Sequence, residues 1–125
     1  MKKLLFITIT AIISACNSDS TLKNSIPGTY VNEVLPKSEY SIVSGDTIVI
    51  NSAGAASSYM ITRNTAWQVI KNSKLQQPEY SSKKENGVFN KDNKTIFTTT
   101  NGITISLDPA RTQIMVGTAV YKKIK

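Results

Sequence analysis

From residue 26 onward the chain alternates between apolar and polar positions in short runs, each closed by turn-forming residues. The alternation is clearest at Ile103, Ile105 and Leu107, which share one face while Thr104, Ser106 and Asp108 share the other. Tyr59 with Ile61, and Trp67 with Val69, repeat it. Period two with one apolar face describes antiparallel strands half-covered by a core. Val, Ile, Thr and Tyr dominate the runs at residues 26–31, 46–50, 57–63, 65–70, 94–99, 103–107, 113–116 and 119–124, as strands prefer. Between them, Pro27 with Gly28, Arg63 with Asn64, Asn72 with Ser73, Asn101 with Gly102 and residues 108–111 read as turns. Asn101 and Gly102 suit a type I′ hairpin, where both central residues take positive φ. Residues 53–56 are too short and too glycine-broken for a helix. The prediction is an all-β fold: a small antiparallel up-and-down barrel of about eight short strands, closed so that no edge is left open.

The first residues break this pattern. Lys2 and Lys3 precede an apolar stretch from Leu4 that ends on Ile13, Ser14, Ala15 and Cys16. A spanning helix needs roughly 20 apolar residues, so the stretch reads as a secretory signal. Its closing tetrapeptide resembles a bacterial lipobox. That resemblance implies a lipidated Cys16 as the first residue of the mature protein, and a diacylglycerol anchor that holds it permanently to a membrane. A lone cysteine in an exported protein otherwise needs an explanation. Residues 17–25 are polar and aperiodic, as a flexible tether would be. The expected organisation is a signal peptide at 1–15, lipidated cysteine and tether at 16–25, and a β-barrel domain at 26–125. Asn17 stands where enteric-type lipoproteins retained at the inner membrane have aspartate, which favours the outer membrane and leaves the leaflet open.

Composition narrows the chemistry. The 125 residues carry a net charge of +7, one cysteine and no histidine. Triads built on histidine and imidazole-held zinc are thereby excluded, and a lipidated Cys16 is neither nucleophile nor ligand. No cofactor or metal is expected, and no catalytic residue is assigned. The carboxylates are scattered, and Asp46, Asp92 and Asp108 sit in turn-like contexts where aspartate bonds local amides. Lys71, Lys74, Lys83, Lys84, Lys91 and Lys94 crowd the middle, and Lys122, Lys123 and Lys125 close the chain. With only Arg63 and Arg111 for bidentate readout, and with export, nucleic acid is disfavoured. The lysines read as solvated loop and edge charge, and next as a face for anionic lipid.

Trp67 and the five tyrosines are read first as core, since aromatic rings bury large areas. Should the barrel hold a small apolar ligand, Trp67, Tyr59, Met60 and Tyr30 are the residues expected to meet it.

The runs at residues 26–31, 39–41 and 46–50, then 59–63, 102–109 and 121–124, resemble in the same order small lipoproteins encoded on conjugative transposons of gut anaerobes. The likeness spans nearly the whole mature chain and rests on strand and turn residues. It implies a genetic setting and a lipocalin-like barrel, and it supplies no catalytic residue. Gly28-Thr29-Tyr30 is also similar to the Gly-x-Trp opening of lipocalins, with Tyr30 in place of tryptophan. The expectation is a non-enzymatic, outer-membrane-anchored β-domain that serves as an interaction module for an envelope protein partner, accessory to conjugative transfer. The alternative is a lipocalin-like carrier of a small apolar ligand.

Overall fold

The computed structural model describes residues 25–108, 110 and 112–125; the expected signal peptide, Cys16 and the expected tether lie outside them. Every named element is a strand: β1 Gly28–Asn32, β2 Ser41–Ser52, β3 Ser58–Lys71, β4 Lys74–Leu75, β5 Glu79–Asn90, β6 Thr95–Thr98, β7 Thr104–Asp108, β8 Gln113–Val116 and β9 Ala119–Lys123. All pairings are antiparallel and run between chain neighbours, apart from the β3–β5 step across the short β4 and the closing pair β1–β9. The first and last strands meet, Tyr30 opposite Lys123 and Asn32 opposite Tyr121. Thr29 N–H donates to the Lys125 carbonyl (3.1 Å) and Ile124 N–H to the Thr29 carbonyl (2.8 Å), extending that seam. The result is a closed, eight-stranded up-and-down barrel with β4 as one extra strand on β3, as the alternation predicts.

The interior follows from parity. Ile48, Ile50, Tyr59, Ile61, Phe89, Ile96, Ile105, Ile114, Tyr30 and Tyr121 all point inward and are buried. Tyr59 meets Phe89 edge-on, with ring centroids 6.5 Å apart, the geometry their quadrupoles favour. Gly87 on β5 makes room where the barrel is tightest: a Cβ there would stand 2.5 Å from both Ile61 Cδ1 and Ile96 Cγ2.

One wall is taller than the rest. β5 pairs with β6 only from Gly87 to Asn90, so residues 79–86 continue past the rim for about 26 Å at 3.3 Å per residue. They are accompanied by the upper part of β3 and by β2. This β2–β3–β5 ribbon stands over the opening. A β-bulge at Ser44 places Val43 opposite Trp67 while Asp46 stays opposite Thr65. Three residues apart, Val43 and Asp46 thus face the same way, which an unbroken strand forbids.

Two local expectations are corrected. β3 runs straight through Arg63 and Asn64, which pair with Ile48 and Thr47 of β2 and with Lys83 and Ser82 of β5; partners on both sides override their turn preference. The hairpin at Asn101 and Gly102 is a longer loop: Thr98 N–H bonds the Ile103 carbonyl (2.9 Å), and of the loop residues only Gly102 has positive φ (64°). The two-residue turn with both φ positive lies instead at Asn72 (50°) and Ser73 (61°), between Lys71 and Lys74. The turn after Asp108 falls between β7 and β8, with Pro109 and Arg111 outside the described residues.

Gly87→Val should lower stability by about 1–3 kcal/mol, the usual cost of overpacking. Urea unfolding should show a lower midpoint at unchanged slope, and Gly87→Ala should lie between the variant and the parent.

Candidate functional site

The two ends of the barrel differ in kind. Ser25, Ile26 and the last residues gather at the base, where Ile26 is buried and its carbonyl accepts the Tyr30 hydroxyl (2.7 Å). Lys123 Nζ donates to the Ser25 carbonyl (2.7 Å) and lies 5.9 Å over the Tyr30 ring. The base is therefore stoppered by the chain's own entering segment.

Toward the open end the interior turns polar. Arg63 Nε donates to Asp46 Oδ1 (3.0 Å), Nη2 donates to Oδ2 (2.9 Å), and the Tyr121 hydroxyl adds a 2.6 Å bond to Oδ2. Asp46 is thus a buried strand residue, not the turn residue expected. The bulge at Ser44 and the inward parity of β2 put it there. Burial pushes its carboxyl up, but the bonds from Arg63 and Tyr121, the Arg63 charge and Asn32 outweigh this and hold it below the usual carboxylate range. Burial, then the bond to Asp46, pushes the Tyr121 hydroxyl up to about 12. Burial alone takes Tyr30 to about 12.

Beside this network lies a cavity of about 220 Å³. Ile48, Ile61, Ile103, Ile105 and Val116 form its apolar floor, and Arg63, Lys83, Glu85, Thr98 and Asn101 its polar rim. The Asn101 amide donates to Glu85, and Thr99 N–H bonds the Asn86 carbonyl (3.0 Å), so the β6–β7 loop is fastened to the tall wall. Arg63 and Lys83 also belong to a second hollow, with Thr65, Trp67 and Ser81, on the inner face of the ribbon. The two hollows share Arg63 and Lys83, so the apolar well adjoins, past two cations, a shelf that bears the only tryptophan.

Of the residues predicted to meet a ligand, Trp67 stands half-buried on that shelf. Tyr30 and Tyr59 are packed in the core, and Met60 faces the outside of the barrel, one position off the inward residues Tyr59 and Ile61. None of the four lines the well. Tyr121 is core as well, whereas Tyr40 and Tyr80 are exposed. Arg63, Lys83 and Glu85 are the rim residues that sequence reasoning missed. Their signal was the period-two spacing of 81, 83 and 85 opposite 65, 63 and 61. The other lysines disperse: Lys91 and Lys94 flank the β5–β6 turn at the base, and Lys71 and Lys74 the ribbon tip. The exposed pair Lys122–Glu33 (3.2 Å) is worth about 0–1 kcal/mol. Among the described residues no group of three or more acidic, cysteine or histidine side chains could hold a metal.

Asp46→Asn should destabilise the fold by about 1–3 kcal/mol, less than for a fully buried pair because the Arg63 side chain is 43 % exposed. Since the Asp46 carboxyl is depressed in the folded state, its contribution is complete above the unfolded value and disappears as pH falls through the folded one. The variant should therefore show a flatter acid limb in melting temperature against pH. At the other extreme, Tyr30 and Tyr121 hold their protons to about 12 against an ordinary 10.0, so stability should fall as pH rises through that interval. Tyr121→Phe should weaken this alkaline loss, read by circular dichroism alongside absorbance of tyrosinate.

Compared with known proteins, the chain matches no family model, no curated protein and no solved structure.

Proposed function

We propose that this protein is a binding barrel of the bacterial outer membrane, tethered through lipid on Cys16, which takes a small ligand at its mouth and performs no catalysis. The observation behind this reading is the open well of about 220 Å³, with an apolar floor and convergent polar groups on its rim; such hollows are the default form of small-ligand sites. The position of Ser25 supports the anchoring half. Ser25 lies at the stoppered base, and ten residues of tether from Cys16 reach at most about 35 Å. A lipid there would set the base toward the bilayer and the mouth away from it. The absence of catalysis is supported by the only buried carboxylate among the described residues: Asp46 is held ionised, with both oxygens engaged, a poor state for moving protons.

A protein partner on the envelope is the second reading, favoured by the ribbon and its neighbouring loop. Tyr40, Leu75 and Tyr80 are 74 %, 56 % and 77 % exposed there, and Val34 in the β1–β2 loop 85 %. A role accessory to conjugative transfer would follow from the likeness to transposon-borne lipoproteins, with this surface as the contact.

Cells expressing the full chain should incorporate labelled palmitate into it and retain it in the outer-membrane fraction, and Cys16→Ala should abolish both. Unlabelled protein recovered from the cytosol would refute the anchor. Crosslinking from position 75, exposed at the same ribbon, that captures one envelope protein and is lost when Tyr80→Ser and Tyr40→Ser are added would put the partner reading first.

A further inference from the structure

The well has a definite size and an uneven rim, and together these describe its guest. An apolar cavity of about 150 Å³ is enough to admit benzene, whereas the pockets of drug-sized ligands run from about 300 Å³ upward. At about 220 Å³, this well takes one ring with a short linker, or an acyl chain of similar bulk. A long-chain fatty acid is too large for it.

The polar rim is richer in spare donors than in spare acceptors. Asp46 has both oxygens occupied by Arg63 and Tyr121. Glu85 accepts the Asn101 amide at Oε1 only, a bond that seats the β6–β7 loop; its single negative charge is outnumbered at the rim by the two cations Arg63 and Lys83. Arg63 gives Asp46 two of its five N–H donors and stays 43 % exposed. The Lys83 side chain makes no ion pair or hydrogen bond among the described residues. Both cations sit where the well opens onto the Trp67 shelf. Donors at that one place, above an apolar floor, fit a group that is anionic at one end and apolar at the other.

We infer that the ligand is a small amphipathic carboxylate. Its apolar body lies among Ile48, Ile61, Ile103 and Ile105, and its carboxylate meets Lys83 Nζ and the part of the Arg63 guanidinium turned away from Asp46. The inference rests on the small-ligand reading above and names the class of ligand. Planar carboxylate suits guanidinium, and the ammonium adds a second charge-assisted bond. Trp67, beside both cations on the shelf, reports occupancy by its fluorescence.

The test uses the full chain with Cys16→Ala, kept free of detergent, and titrates octanoate, 3-phenylpropionate, octylamine, octanol and palmitate against Trp67 fluorescence and calorimetry. Octanoate or 3-phenylpropionate should bind saturably, with octylamine and octanol at least tenfold weaker and palmitate no tighter than octanoate. Lys83→Gln, a change at an exposed site, should weaken octanoate about tenfold without moving the melting temperature of the free protein. Ile105→Phe, which fills the well, should abolish binding. Octanol or octylamine binding as tightly as octanoate, or Lys83→Gln leaving octanoate unaffected, would overturn the carboxylate while the binding barrel stands. Palmitate binding more tightly than octanoate would overturn the size argument. If none of the five binds, the inference and the small-ligand reading both fall.

Discussion

A single buried carboxylate ties the closing strands of this barrel together. Asp46 on β2 receives the Arg63 fork from β3 and the Tyr121 hydroxyl from β9, and Asn32 of β1 lies beside it. The β1–β9 seam that closes the cylinder therefore lies inside the span of this network. A buried ion pair is weak support for stability as such, because desolvation consumes most of the attraction. Its worth lies in what it forbids. A slip of one residue in β2 would leave Asp46 and Arg63 on opposite faces, each without its partner.

The same network divides the interior. Below it, isoleucines and tyrosines fill the barrel down to the stopper made by Ile26. Beside it, the side chains are too short to meet across the space, and the well remains. Thr98, 1 % exposed, is one reason. Its hydroxyl accepts the Ile103 N–H (2.9 Å) and does not reach inward as a longer chain would. The tall ribbon continues the well on one side only, so the mouth is a step with a back wall and not a symmetrical opening.

Much of the fold was legible because short strands with one wet face write their parity plainly. Ile103, Ile105 and Leu107, the run at 113–116 and the closing strand at 119–124 stand close to where alternation put them. The failures have physical causes. Residues 79–86 do not figure among the alternating runs because above the rim few apolar partners remain for them, so their sequence has no apolar stripe although they pair with β3 along their length. Arg63 and Asn64 looked like a turn, but ladder bonds on both sides hold them extended. Ser44 shifts the parity of β2, and no pattern of period two announces an extra residue. The site was harder still. A carboxylate next to Gly45 looks like a turn, and nothing local marks Lys83 off from Lys84, one facing the mouth and the other the outside.

Both ends of the described chain leave the barrel at its base, joined there by the bonds from Thr29 to Lys125 and from Lys123 to Ser25. Anything appended after Lys125 would emerge beside Ser25 and leave the rim unobstructed. The domain is in this sense a removable head. It could be grafted onto a stem of choice by either terminus, and its opening would point away from that stem.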